Sequence, residues 1–132
     1  MHDALYQARI LDHAKNPRNK RKLLHADATI KGSNPSCGDT LVLYLRFNGD
    51  TIAEAAFEGD GCAISQATAS LLTEKLVGLS KKQAQSLGEP DIYALLGVEV
   101  SIGRQKCALL AWRALQDVLK KNAIVGTAMY YQ

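Results

Sequence analysis

Thr40-Leu41-Val42-Leu43-Tyr44-Leu45-Arg46-Phe47-Asn48-Gly49-Asp50-Thr51-Ile52-Ala53-Glu54-Ala55-Ala56-Phe57 reads as two strands folded back on each other. Leu41, Leu43, Leu45 and Phe47 alternate with other residues, so one face of residues 40–47 is apolar, as in a half-buried strand. Asn48-Gly49 is a favoured pair for a two-residue turn with positive φ, and residues 51–57 return as the partner strand. Glu58-Gly59-Asp60-Gly61 breaks that strand and leads into Cys62. There the apolar period lengthens to that of a helix, with Ile64, Thr68, Leu71, Leu72 and Leu76 on one face and Gln66, Thr73 and Glu74 expected outside. A hairpin running into helices, without an internal repeat or linker, predicts a single α+β domain over residues 1–132. Its small antiparallel sheet, of about three strands, packs against a cluster of helices.

Working outward, a first strand is expected over 27–31, followed by a loop over 32–38 because Gly32, Pro35 and Gly38 crowd it. Asp3 is a candidate cap for a first helix ending near Lys15, with Leu5, Ala8, Leu11 and Ala14 near its inner face and Pro17 closing it. Ser80 suits the start of a short helix to residue 87, Glu89–Leu96 suits another, and Gly78 stops the helix before them. A last helix starts near Gln105 and turns Cys107, Leu110, Ala111, Ala114, Leu115 and Val118 inward. Lys120 and Lys121 complement its C-terminal dipole, and Asn122 can close it. The tail, 123–132, carries no clear pattern.

At 132 residues and 47% hydrophobic composition, the chain can build its own core without a metal or disulfides. The net charge of +3 is mild and spread, except at residues 15–22, where five of eight positions are cationic. That run reads as a solvated loop or a patch for an acidic protein partner. No aromatic residue interleaves it for base stacking, which argues against nucleic acid. Asp3, Arg9 and Asp12 interrupt the first residues, so no signal-peptide core is present, and no apolar run is long enough to span a bilayer. The expectation is a cytoplasmic protein with no membrane partner, whose three cysteines stay reduced.

Those cysteines lie in Pro35-Ser36-Cys37-Gly38-Asp39, Gly59-Asp60-Gly61-Cys62 and Gly103-Arg104-Gln105-Lys106-Cys107. Three thiolates and the Asp39 carboxylate make a four-ligand set for Zn²⁺, or for an iron–sulfur cluster with one labile corner. Cys62 and Cys107 fall at expected helix N-termini, where the dipole, with Arg104 and Lys106 near Cys107, is expected to favour the thiolate. The spacing alone is no zinc-finger signature, and Cys107 also fits the apolar stripe of the last helix as an ordinary core residue. Asp39 taken alone reads more readily as a turn cap, and Asp60 as the turn acid before the helix. His2, His13 and His25 read as surface residues, and no cysteine–histidine nucleophile pattern is present.

The stretches Leu5-Tyr6 through Asp12-His13, Lys15-Asn16-Pro17-Arg18-Asn19-Lys20, Asn34-Pro35-Ser36-Cys37-Gly38-Asp39, Phe57-Glu58-Gly59-Asp60-Gly61-Cys62-Ala63-Ile64-Ser65 and Lys106-Cys107-Ala108-Leu109-Leu110-Ala111-Trp112 together resemble the IscU/NifU-type iron–sulfur assembly proteins, most of all their SufU branch. The resemblance implies a SufE/NifU-like fold in which Cys37, Asp39, Cys62 and Cys107 converge at one exposed end. It also implies Zn²⁺ or a transient 2Fe–2S cluster there, with persulfide sulfur delivered by a cysteine desulfurase. Lys106 stands where IscU has a histidine, and Val98-Glu99-Val100-Ser101-Ile102 replaces the Leu-Pro-Pro-Val-Lys stretch that IscU offers its chaperone. An insertion typical of SufU between the second and third cysteines is missing.

Two functions follow from the resemblance, and a third needs only the four ligands. The first is a scaffold that accepts persulfide sulfur, with Cys37 as candidate acceptor, and passes its cluster to apoproteins or carriers. The second is a SufU-like zinc-dependent sulfurtransferase, and the third a non-catalytic zinc-binding interaction module. The scaffold is preferred over an enzyme, and a sulfurtransferase activity stays open.

Overall fold

The computed structural model describes residues 2–120. Helix α1 (His2–Lys15) precedes three strands, β1 (Ala28–Asn34), β2 (Asp39–Asn48) and β3 (Thr51–Glu58), which form an antiparallel sheet in the order β1-β2-β3. Helices α2 (Ala63–Leu76), α3 (Lys81–Gln85), α4 (Glu89–Leu96) and α5 (Gln105–Lys120) follow, with a 3₁₀ turn at Ile102–Arg104 leading into α5. The α+β architecture is the one expected. Among the described residues no helix is long and apolar enough to cross a membrane. The positions assigned to Lys121, Asn122 and the tail lie outside the described residues.

The alternating face of the hairpin is the floor of the core. Leu41, Leu43, Leu45, Ile52, Ala55 and Phe57 pack against Leu72 and Leu76 of α2 and Leu110, Leu115 and Val118 of α5. The turn is displaced by one residue from the expected pair. Asn48 still pairs with Thr51, so the loop is Gly49-Asp50, and Gly49 alone takes a positive φ of 62°. A glycine at the first loop position serves a two-residue hairpin as well as the Asn-Gly placement does.

β1 runs three residues further than its composition suggests. Gly32, Ser33 and Asn34 were expected in a loop, yet they pair with Leu41, Thr40 and Asp39, leaving only residues 35–38 as the connection. The securely buried β2 offers a ready ladder, and its backbone hydrogen bonds outweigh the weak strand preference of Gly32. This extension sets Asn34 directly opposite Asp39.

Two helical faces also differ from expectation. In α1 the inner stripe is Ile10 and His13 with Ala14 half-buried, while Leu5 and Leu11 are 71% and 53% exposed and Ala8 is exposed. The two stripes share only Ala14 and are centred more than about 100° apart around the helix, and the packing of Ile10 with Ala67, Leu71 and Leu96 marks the true inner side. In α2, Gln66 and Thr73 are buried, against the outward placement expected, while Glu74 is exposed. The cause is that α2 is enclosed by α1, α4, α5 and β3. Small residues such as Ala67, Ala69 and Ser70 admit those close neighbours. Ser80 caps α3 as expected, in a reciprocal pair with Gln83.

The cationic run is no free loop. The Arg18 backbone N–H donates to Ser70 Oγ at 2.8 Å, the Phe57 N–H donates to Asn19 O at 2.9 Å, and Asn19 Nδ2 donates to Thr73 Oγ1 at 3.2 Å. The run thereby straps the outer edge of β3. Beyond it, Leu23 covers Tyr44 and Ala56 on the sheet face opposite the main core.

His13, expected at the surface, is 6% exposed, with Nδ1 2.7 Å from Ser70 Oγ. Because Ser70 Oγ already accepts from the Arg18 N–H, its hydroxyl proton is available to a neutral His13 Nδ1. Burial first, and Arg18 second, hold the His13 pKa below its ordinary 6.5. On acidification through 6.5 the unfolded chain therefore takes up a proton before the fold does, and stability falls. A pH series of thermal unfolding midpoints should show this decline below 6.5 and a flatter profile in His13→Gln. Identical profiles would remove His13 as the cause.

Candidate functional site

The three cysteine motifs meet where the β1–β2 loop approaches the N-termini of α2 and α5. The Cys37 N–H donates to Asn34 O at 3.2 Å, and Gly38 takes φ +72°, which returns the chain into β2 at Asp39. This tight loop leaves Cys37 exposed. Cys62 is the N-cap residue of α2 and half-buried, and Cys107 lies in the first turn of α5 at 1% exposure.

Asp39 joins the loop to α2. Its Oδ1 accepts the Cys62 backbone N–H at 3.0 Å, satisfying a free donor at the helix start that no N-cap side chain serves. Gly61 permits this approach, since a β-carbon there would overlap Ser65 Oγ and come within 2.8 Å of Asp39 Oδ1. Asp60 contributes through its backbone, with its O accepting the Thr40 N–H at 2.7 Å, and its side chain is exposed, as suits a turn acid.

Ligand atoms of Cys37, Asp39 and Cys107 all lie within 4.8 Å of one another, and the two sulfurs are 2.8 Å apart. Asp39 is 1% exposed, yet its Oδ2 receives no hydrogen bond among the described residues. A buried carboxylate oxygen without a donor is costly unless a cation meets it. Two soft sulfurs beside one hard oxygen form a donor set that suits Zn²⁺ or iron. Cys62 stands beside this group, bound to Asp39 by its backbone, and its sulfur acts on both Cys107 and Arg104.

The electrostatics differ from the expectation at Cys107. Burial pushes its thiol pKa well up, and Cys37, Asp39 and Cys62 add to the rise. The helix dipole and exposed Lys106 do not offset the loss of water. Arg104 instead serves Cys62: its hydrogen bond to that sulfur, followed by the charges of Cys62 and Cys107, raises the guanidinium pKa above its ordinary value. Asn34 and Gly61 are the contributors that the sequence left without a role, although both stand inside the recognised motifs. Asn34 would have drawn attention had β1 been extended to its true end.

The family model for the NifU-like N terminal domain matches residues 5–124. The chain belongs to this family. Among its relatives, a protein of Bacillus subtilis (strain 168) described as zinc-dependent sulfurtransferase SufU is 38% identical over 137 residues, covering 91% of this chain and 92% of that one. A protein of Streptococcus pyogenes serotype M1, described as iron–sulfur cluster assembly scaffold protein IscU, is 35% identical and covers 90% of this chain and 85% of that one. The crystal structure of a SUF-system scaffold candidate from Fervidobacterium islandicum AW-1 superposes with a TM-score of 0.73 at 32% identity, covering 90% of this chain and 99% of that one. This NifU-like chain therefore shares its fold and most of its length with proteins carrying both descriptions.

Proposed function

We propose that this chain is an iron–sulfur cluster assembly scaffold that accepts persulfide sulfur from a cysteine desulfurase in the cytoplasm. The transient cluster is its cargo, held by Cys37, Asp39, Cys62 and Cys107, and is passed on to apoproteins or carriers. The observation that carries this reading is the group of two sulfurs and a buried carboxylate at an exposed loop, with Asp39 Oδ2 receiving no hydrogen bond among the described residues. A carboxylate is a harder and weaker ligand for cluster iron than a thiolate, so the Asp39 corner is the one that exchanges.

Sulfur enters at Cys37. Its thiolate attacks the outer sulfur of the desulfurase persulfide, a new S–S bond forms on Cys37, and the desulfurase cysteine leaves as its thiolate. No net oxidation accompanies this exchange. Reduction of the transferred sulfur to bridging sulfide then takes two electrons from a thiol or other external donor.

Incubation with a cysteine desulfurase, cysteine, iron(II) and a thiol reductant tests the proposal. The protein should gain iron and acid-labile sulfide together with a visible absorbance band, and should lose them to an added apoprotein. Lys106 and the similarity to SufU favour a second reading, a zinc-dependent sulfurtransferase, in which bound Zn²⁺ would hold the cysteines as thiolates. Faster desulfurase turnover that requires zinc and leaves neither iron nor sulfide on the protein selects that alternative. Unchanged desulfurase turnover and no retained cluster would leave only a zinc-binding interaction module.

A further inference from the structure

We infer that Asn34 is a positioning residue for this site, its side-chain amide donating to the sulfurs of Cys37 and Cys107. The inference rests on the ligand set proposed above. Asn34 is 0% exposed at the end of β1, with Nδ2 2.9 Å from Cys37 Sγ and 3.8 Å from Cys107 Sγ. One amide thus addresses both the exposed sulfur and the buried one, which lie 70 residues apart in the chain.

The loop itself does not require this side chain. Its turn is closed by the Asn34 backbone O accepting the Cys37 N–H, and strand pairing uses the backbone opposite Asp39. Asn34 Oδ1 is buried with no hydrogen-bond partner among the described residues. A residue chosen for stability alone would not leave that carbonyl unsatisfied, because leucine fills nearly the same shape without it. The gain lies at the sulfurs. An N–H aimed at a thiolate stabilises the deprotonated ligand and fixes its direction, whereas an oxygen aimed there would repel it. The same bond lowers the energy of the sulfur lone pairs, and so the electron density that sulfur gives a metal.

Cobalt(II) titration tests this, because thiolate-to-cobalt charge-transfer absorbance reports on the sulfurs themselves. The unmutated protein should show that band. Asn34→Leu and Asn34→Ala should bind cobalt about 10- to 100-fold more weakly, with the band moved to longer wavelength as the lone pairs rise in energy. The metal-free Asn34→Leu protein should unfold at a midpoint no lower than the original. Unchanged affinity and an unmoved band in the variants overturn the role of Asn34 and leave the ligand set standing. If the unmutated protein shows no charge-transfer band, the ligand set falls and this inference falls with it. An NMR measurement covers the case in which the variants do not fold. The Asn34 side-chain amide proton of the unmutated protein should move downfield on zinc binding, and a stationary resonance overturns the inference.

Discussion

Cys37→Ala should abolish sulfur uptake from a cysteine desulfurase while leaving the unfolding transition in place. Mass spectrometry after incubation with desulfurase and cysteine should find one added sulfur on the unmutated chain and none on the variant. The reason is access. A partner's persulfide can be attacked only by a sulfur that reaches solvent, and Cys37 is exposed while Cys107 is 1% exposed. Cys62 is half-buried and engaged by Arg104. The substitution lies on a four-residue connection, outside the core, so folding should be little affected. A Cys37→Ala protein that still gains the sulfur would falsify the assignment of Cys37 as acceptor.

The largest effect on stability is expected at Phe57. Its ring is 0% exposed in the main core, on the strand that leads to Cys62. Phe57→Ala removes the ring and leaves a void in the main core beneath α2, at a cost of about 3–5 kcal/mol. Against total stabilities of roughly 5–15 kcal/mol for folded domains, that loss should bring the denaturant midpoint down sharply. Metal or cluster retention should weaken as well, because Cys62 is carried on the link from β3 to α2. A loss below about 1 kcal/mol in chemical denaturation would show that the core closes around the missing ring more completely than expected.

Much of this fold was legible because its elements follow strong local rules. The hairpin showed in the alternation of Leu41, Leu43 and Leu45, and α4 has the bounds expected for it, Glu89–Leu96. What stayed hidden depended on neighbours distant in sequence. The inner stripe of α1 was set by Ala67, Leu71 and Leu96, and His13 was buried by Ser70. Gln66 and Thr73 looked outward by helical period, but helix α1 covers the face that the sheet and α5 leave free. Strand β1 ran through Gly32 because β2 supplied the hydrogen bonds.

The site divides along the same line. The residues themselves determined its chemistry: three thiols, one carboxylate two positions from the first thiol, and glycines that free the backbone around them. Those identities, with the motifs around them, sufficed to point to metal and sulfur chemistry. Only the tertiary structure decided which groups meet. It put the Cys37, Asp39 and Cys107 ligand atoms within 4.8 Å, with Cys62 alongside. It also decided their character, making Cys37 the exposed sulfur and Cys107 the buried one, whose pKa rises where the helix position alone predicted a fall. Local sequence sets the dipole at a helix end, but loss of water is a property of everything packed around it, and at Cys107 the loss of water is the larger effect.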